Sequence, residues 1–422
     1  MDVLGALEQV KCAAAGAQAR ITAAFSDSQR AAQSRAGVSA RDLGTGVGAQ
    51  IGLARRESPF RGRQHLGLAL ALRELPHTMA ALSAGQVSEW RATVVARETG
   101  CLSRADRGQV DAELAARPGG LAGLGDRGVE VESRRIAYRL DPYAFTRRTA
   151  QAEADRRVSI RPAPDTMALV TGLLPVTQGV AVHAALTRHA DTLRSTGDPR
   201  SRNQIMADTL VERVTGQSTA AGVPIEVHVV ITDQALLAAD HTPADLAGYG
   251  PIPAPHARTW LALPDASIGL RRLFTDPTGQ DLVAMESTRR TFTGGLRRFI
   301  GLRDRSCRTP WCDAPIRHID HANRAADGGP TTATNSQGLC EACNHAKEAP
   351  GWHTHASATA AGTRTTAGTG QTVDTSTPTG HHYASRPPSA ITAPNTVSRP
   401  VGRPPQDSRM EAYVDTLLLL TG

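Results

Sequence analysis

The sequence of 422 residues contains no apolar run long enough to cross a lipid bilayer. Its densest run, Leu417 to Leu420, is far shorter than the roughly 20 residues that a spanning helix needs. The N-terminus also lacks the basic segment and following apolar stretch of a secretory signal peptide. We therefore expect a protein with no membrane association, located in the cytoplasm.

Cysteine is scarce as well. The chain has six cysteines, and four of them fall in one short segment near the C-terminus, so the spread pattern of a disulfide-stabilised secreted domain is absent. Cys12 and Cys101 stand alone in segments with helical patterns, and we interpret them as small hydrophobic residues or idle thiols. A reducing compartment fits this use of cysteine.

Positive charge exceeds negative charge only modestly. The chain carries 47 Lys and Arg against 40 Asp and Glu, a net charge of +7, and arginine greatly outnumbers lysine. This excess favours a polyanionic partner such as nucleic acid. Arginines concentrate between 271 and 308, where the doublets Arg289-Arg290 and Arg297-Arg298 occur. Such a stripe suits a track of phosphate contacts, although a solvated helix face gives the same pattern.

Apolar residues at three and four spacing predict that residues 1 to about 155 are helical. Ser88 and Ser103 have the side chains of helix N-caps, and a Gly-rich stretch at 44–52 predicts a loop. A charged helix is expected over 131–154, with a bend at Pro142.

After about residue 155 the spacing of apolar residues changes from a helical to a strand pattern. Alternating β-branched residues predict strands at 157–162, 167–174 and 226–232, the first two forming a hairpin. Helices are expected at 176–195 and 202–215, followed by a connector over 240–280 with a short helix at 268–274. Residues 356–422 are rich in Thr, Ser, Gly and Pro, and they predict a low-complexity, flexible tail, with a short helix at 408–420.

The most informative segment contains two close thiol pairs. Two pairs at this spacing can close one tetrahedral zinc site, whereas two redox dithiols would be the alternative. The pairs are Cys307 with Cys312 and Cys340 with Cys343. Between and beside them lie carboxylate, imidazole and carboxamide side chains that can hold a harder metal and activate water. These are Asp320, His321, Asn335 and Asn344.

The residues around these ligands have an ordered pattern. Residues 317–322 alternate like a strand, which places His318 and Asp320 on one face and His321 on the other. Gly328-Gly329 permits a tight return, and a helix begins near Cys343. The pattern predicts a strand, a loop, a second strand and a helix around metal.

The segment from about Phe299 to Trp352 resembles an HNH endonuclease domain, the ββα-metal nuclease fold, in its four-cysteine zinc branch. The motif residues are Asp320-His321, Asn335, and Asn344 with Lys347. The upstream region resembles a helical domain of unknown function, family 222, that precedes HNH domains in many actinobacterial proteins. Its likeness rests on the segments at 84–91, 174–179, 271–277 and 296–299.

Together these resemblances imply an α+β protein. A large, mainly helical domain with a few strands would span 1–290, a small zinc-stabilised HNH domain 291–355, and the tail 356–422. The implied function is a hydrolase, an endonuclease that cleaves phosphodiester bonds of DNA with a divalent metal.

The resemblance also assigns roles. His321 would be the general base, Asp320 and Asn344 would hold Mg²⁺ or Mn²⁺, and Asn335 would orient the loop and His321. The four cysteines would hold a structural zinc. Candidate nucleic-acid contacts are Arg317, Lys347, Arg297 and Arg298, although Arg317 and Lys347 are also typical surface charges.

One position departs from the common motif. Asn344 stands where many HNH relatives have histidine, so the site keeps one charged protein ligand, Asp320. The adjacent His345 could substitute for Asn344, but it also fits an exposed helix position. The alternative function is a zinc-dependent nucleic-acid-binding protein without cleavage activity.

Overall fold

The structure is a computed structural model that describes residues 2–219, 229–231, 235–236, 240–246, 249–261, 292, 294–358 and 371–388. It is mostly helical, with small antiparallel sheets. Within these residues, none of the helices combines the length and apolarity that a membrane crossing requires.

Helices make up the N-terminal part. Their bounds are α1 Asp2–Arg35, α2 Val47–Arg55, α3 Pro59–Ala71, α4 Pro76–Ser83, α5 Glu89–Thr99, α6 Arg104–Ala116, α7 Asp126–Leu140 and α8 Pro142–Ala154. Apolar side chains of α1 and of α3 to α8 share one core, as their three and four spacing predicts. Cys12 is buried in this core, and Cys101 is half-buried beside it.

Side-chain caps fix where these helices begin. The Ser88 hydroxyl accepts a hydrogen bond from the Arg91 N–H, and the Ser103 hydroxyl accepts one from the Asp106 N–H, which confirms both predicted caps. The predicted helix at 131–154 is instead two helices, because Asp141 ends α7 and caps α8, and Pro142 takes the first position of α8.

The predicted loop at 44–52 was wrong over most of its length, because α2 begins at Val47. The glycines there serve close packing. A Cβ at Gly62 of α3 would lie 2.1 Å from the Gly48 carbonyl oxygen of α2, and a Cβ at Gly52 would lie 2.8 Å from the Ser58 carbonyl oxygen. The missing side chains therefore let the two helix backbones touch, and a loop is not needed to explain the glycine content.

A hairpin and a helix pair follow, as predicted. Strands β1 Arg157–Ala163 and β2 Met167–Leu173 pair antiparallel, and helices α9 Val176–Ser195 and α10 Arg202–Thr215 pack on each other. Of the predicted strand at 226–232, the described part includes β3 Val229–Val230, which pairs with β4 Ala244–Leu246 and, through it, β5 Gly250–Ile252. Helix α11, Ala254–Leu261, comes next. The predicted helices at 268–274 and 408–420 lie outside the described residues.

The C-terminal part is built on a short helix-and-sheet unit. Helix α12, Gly294–Asp304, packs on the antiparallel strands β6 His318–His321 and β7 Ser336–Leu339, and helix α13 Glu341–Lys347 follows directly. The predicted strand, loop, strand and helix order is therefore present. A small apolar cluster of Phe292, Leu296, Ile300 and Ala333 joins α12 to this sheet.

The prediction of a flexible tail from 356 was wrong for part of that range. Strands β8 His353–Ala358, β9 Gln371–Ser376 and β10 His382–Ser385 form an antiparallel sheet in the order β10-β9-β8. The segment has few large apolar side chains, but it packs against the preceding unit. The Gln371 side-chain amide donates to the carbonyl oxygens of Thr334 and Ser336, and Thr354 donates to the Ala322 carbonyl.

The two parts of the chain touch at α2. Trp352 is buried against Ala49 and Leu53 of α2, and the Thr379 hydroxyl donates to the Gln50 side-chain oxygen at 3.2 Å. The C-terminal unit is therefore packed on the helical part through one apolar cluster and polar contacts at its edge.

Candidate metal and catalytic site

Four sulfur atoms meet at one point between the first cysteine pair and the start of α13. The Sγ atoms of Cys307, Cys312, Cys340 and Cys343 all lie within 4.8 Å of one another. Cys312 Sγ lies 3.8 Å from Cys340 Sγ and 3.6 Å from Cys343 Sγ. A tetrahedral zinc with bonds of about 2.3 Å places its sulfurs about 3.8 Å apart. The four cysteines could therefore hold a zinc ion, as their spacing predicts.

Local backbone structure brings the sulfurs together. The Cys307 N–H donates to the Ala314 carbonyl, which closes the first turn, and Cys340 is the N-cap residue of α13, with its sulfur accepting from the Cys343 N–H. The hydrogen bond with Cys307 is the largest cause that lowers the pKa of Cys340. The hydrogen bond with Cys307 is also the largest cause that raises the pKa of Cys343. A cation among the sulfurs would stabilise all four as thiolates.

Asp320 and His321 end strand β6, and the strand sends their side chains in different directions. His321 is buried, and its ring lies 4.7 Å from that of Phe292, between centroids. Asp320 is half-buried and faces α13, where it meets Lys347. The two side chains remain close at the strand end, with His321 Nδ1 3.7 Å from Asp320 Oδ1. The alternation that the sequence predicts is thus present, with His318 exposed.

The His321 ring has a partner that the sequence did not indicate. Its Nε2 lies 2.9 Å from the Thr331 hydroxyl, and Thr331 is buried in the loop between β6 and β7. When Nε2–H donates to this hydroxyl, Nδ1 is the nitrogen that carries the lone pair, on the side of Asp320. Thr331 therefore fixes the orientation of the ring. A lone threonine in a loop gives no signal of this role.

Asn335 secures the loop that carries Thr331. Its side-chain NH₂ donates to the carbonyl oxygens of Asn323 and Pro330, and its Oδ1 accepts from the Asn323 N–H at 2.8 Å. Asn335 is itself buried. Three hydrogen bonds of one amide fix both ends of the segment between Asn323 and Pro330.

Helix α13 carries the Lys347 ammonium group on its face toward β6. Lys347 Nζ lies 2.8 Å from Asp320 Oδ2 and 2.6 Å from Glu348 Oε1, and its side chain is only 8% exposed. Burial acts to raise the pKa of Asp320, but the hydrogen bond and charge of Lys347 outweigh burial and lower it. Lys347 is thus an ion-pair partner of Asp320, and the sequence alternative of a surface charge was wrong.

Asn344 precedes Lys347 by three residues, so the two share one helix face. Its side-chain oxygen, Oδ1, is buried and has no hydrogen-bond partner among the described residues. Buried acceptors are nearly always paired, with protein groups, ordered water or a bound ion. A carboxamide oxygen belongs to the class of ligands that hard divalent cations accept. The neighbouring His345 is exposed.

The arginine stripe divides into two groups. Arg297, Arg298 and Arg317 are exposed, as nucleic-acid contacts must be. Arg303 and Arg308 are buried around Asp304, and Arg305 pairs with Asp245 at 2.9 Å, so the phosphate track predicted through these three positions was wrong. The neighbouring Asp304 and the distant Asp245 balance these charges, and distant carbonyl oxygens accept the remaining guanidinium hydrogen bonds. Residues 271–290 lie outside the described residues.

Comparison with known proteins gives one family. A model for a domain of unknown function, DUF222, matches residues 6–304. The chain belongs to the DUF222 family. No curated protein and no solved structure matches it. The DUF222 match ends at Asp304, the last residue of α12, so it stops just before the cysteine cluster.

Proposed function

We propose that this DUF222 protein is a metal-dependent endonuclease of the HNH type, with DNA as its substrate. The support is the Asp320–His321 pair at the end of β6, the Lys347–Asp320 contact that brings α13 to this strand, and a cysteine cluster of zinc geometry. The observation that carries the proposal is the buried, unpaired Asn344 Oδ1 on the helix face that meets Asp320. An apolar or hydrogen-bonded residue would serve stability better at that position.

In this proposal His321 is the general base. Its ring is held by the Thr331 hydroxyl and by the tilted ring of Phe292, so Nδ1 keeps a fixed direction. A neutral imidazole can take a proton from the attacking water at this nitrogen. Asn335 acts one step away, because it holds the loop that presents Thr331.

Asp320 and Asn344 would hold Mg²⁺ or Mn²⁺ through their oxygens. Such an ion, when bound, offsets the negative charge that develops on the scissile phosphate and the leaving oxygen. The Lys347 ammonium gives Asp320 a second positive partner, which keeps its carboxylate ionised. The cysteine-bound zinc would be structural, because the four sulfurs leave no open position for substrate or water. Exposed Arg317, Arg297 and Arg298 are the proposed phosphate contacts.

One observation favours a second candidate, a zinc-dependent nucleic-acid-binding protein without cleavage. The Asp320 carboxylate already has a cation, because Lys347 Nζ is 2.8 Å away. An ion pair of this kind can satisfy the carboxylate in a protein that has no use for a divalent metal. The two candidates differ in whether added Mg²⁺ or Mn²⁺ produces phosphodiester cleavage.

The test is plasmid nicking by the full chain with bound zinc, in the presence of Mg²⁺ or Mn²⁺. We expect nicking by the parent and a loss of at least about a hundredfold in His321→Ala, since general-base catalysis contributes about two to four orders of magnitude. His345→Ala is the matched control, because His345 is an exposed imidazole on the neighbouring helix, and it should cut like the parent. Asn344→Ala should lose activity that high Mn²⁺ restores only in part.

Zinc content is measured for every variant. If parent and His321→Ala nick DNA equally while both retain zinc, His321 is not the base and the nuclease assignment fails. If neither cuts any substrate but both bind DNA, the second candidate replaces the first.

A further inference from the structure

A cleft of about 710 Å³ separates the helical part from the cysteine cluster. The first turn of α3 forms one wall, and the segment from Trp311 to Pro315 forms the other, with the start of α13 beside it. The lining is mainly apolar. The cleft lies next to β6 and α13, which carry the candidate catalytic residues, but none of those residues lines it.

Each wall presents one exposed aromatic ring. Phe60 is 60% exposed, and Trp311 is 42% exposed. Trp311 also has φ of 59°, the left-handed region that bulky residues rarely adopt. Such a conformation costs free energy and is kept only where surrounding structure enforces it. The Trp311 ring makes an edge-to-face contact with Tyr383, with centroids 5.9 Å apart, and its remaining surface is exposed at the cleft.

Three guanidinium groups line the same cleft, namely those of Arg61, Arg63 and Arg317. Acidic residues line it too, but Glu57 is occupied, with its Oε2 2.7 Å from His65 Nε2. The remaining acids, Asp313 and Glu341, leave these groups with a small excess of positive charge. The affinity of the cleft for a ligand must therefore come mainly from the aromatic rings, with phosphate contacts at the arginines.

The cleft leads to the candidate site along β6. Arg317 immediately precedes this strand, and Asp320 lies three residues further, which is about 10 Å of extended chain. A strand of nucleic acid that passes Asp320 can thus place a nearby nucleotide in the cleft.

We infer that this cleft binds an unpaired base of a single nucleic-acid strand, stacked against Phe60 and Trp311. Aromatic rings with flanking arginines bind single strands in this way, because every base has a π-face and stacking tolerates any sequence. The inference rests on the proposed function for its ligand class, nucleic acid. It adds a preference for substrates with unpaired or frayed bases near the cut, which a duplex alone would not satisfy.

The test measures binding of a labelled single-stranded oligonucleotide and of the matching duplex, by fluorescence anisotropy. The full chain with bound zinc is used without added Mg²⁺ or Mn²⁺. We expect Phe60→Ala to weaken single-strand binding about 5- to 150-fold and to change duplex binding little. Phe60→Trp should restore it. Tyr143→Ala is the control, since Tyr143 is 77% exposed on α8 and lies outside the cleft.

Trp311→Ala should act like Phe60→Ala, and its zinc content shows whether the metal-binding turn survives. Phe60 lies on an exposed helix turn, so its variant decides the question even if Trp311→Ala loses zinc. Unchanged single-strand binding by Phe60→Ala overturns the inference, even when the parent cuts plasmid. If single-strand binding depends on Phe60 but no substrate is cleaved, the inference stands and only the nuclease proposal fails. Capture of aromatic peptides in place of single strands would also overturn it.

Discussion

Replacing Asp304 by alanine should destabilise the C-terminal unit more than any change at its surface. Asp304 is 1% exposed and lies at the end of α12. Its carboxylate accepts from Arg303 Nε at 2.7 Å, from Arg308 Nη1 at 3.0 Å and from the Gly338 N–H of β7 at 2.7 Å. Two buried guanidinium groups and one strand amide therefore depend on this single side chain.

The size of the effect follows from what alanine would leave behind. Removing one partner of a buried ion pair costs about 3–5 kcal/mol, because the remaining charge stays buried without compensation. Burial lowers the pKa of Arg308, despite the opposing charge of Asp304. Water therefore cannot replace Asp304 as the partner of this guanidinium. A domain has about 5–15 kcal/mol of stability in total. The loss is thus a large fraction of what holds α12, β6 and β7 together.

Hydrogen exchange read by mass spectrometry localises this loss. We expect peptides from β6 and β7 to exchange about two to three and a half orders of magnitude faster in Asp304→Ala, which is 3–5 kcal/mol in opening free energy. Peptides from α5 and α7 should be unchanged, since they belong to the other core. Asp313→Ala is the matched control, an exposed aspartate in the same unit.

A change below about tenfold in the β7 peptides would refute the reasoning. It would mean that water or a rearranged partner compensates both arginines, and that the network contributes little. Equal acceleration in α5 and α7 would instead show that the two parts of the chain unfold as one.

Three further outcomes follow from other contacts. Gly62→Ala should lower the free energy of unfolding of the helical part by about 1–3 kcal/mol, because its Cβ would collide with the Gly48 carbonyl. Gly67→Ala should be neutral or stabilising, because the space around Gly67 on the same helix is open. The hydrogen bond from His65 lowers the pKa of Glu89 in the folded protein. The stability that Glu89 contributes is therefore fully present above its unfolded pKa of about 4.3, and it is lost as the pH falls through the folded pKa. Glu89→Gln should therefore flatten the decline in melting temperature of the helical part between about pH 5 and 2.5. A strong zinc chelator should abolish exchange protection in β6, β7 and α13 but not in α5 and α7, and equal loss throughout would contradict separate cores.

Much of the candidate site could be predicted because its determinants are local. The two cysteine pairs, the alternation at Asp320-His321 and the helix after Cys340 are short-range patterns, and strand and helix geometry converts each of them into a direction. The hairpin of β1 and β2 and the caps at Ser88 and Ser103 were predictable for the same reason.

What the sequence could not show depends on contacts between distant segments. The sequence pattern predicted exposed charges at Arg303 and Arg308 because their burial depends on distant partners. Arg303 donates to the Ser336 carbonyl, and Arg308 donates to the Ser385 carbonyl. Thr331 gained its contact with His321 only through the folding of the loop. Glycines at 44–52 indicated a loop because composition alone does not distinguish a turn from two helices in backbone contact.

The end of the family match and the physical boundary of the C-terminal unit do not coincide. DUF222 ends at Asp304, yet α12 packs on β6 and β7, and Phe292 lies against the His321 ring. The last segment of the family domain therefore supplies the helix, the ring and the buried carboxylate on which the candidate catalytic strand is built. A cut at the family boundary would separate Asp304 from the Gly338 amide that it binds. The helical domain and the proposed nuclease thus share an element, so the domain of unknown function is part of the scaffold that orients His321.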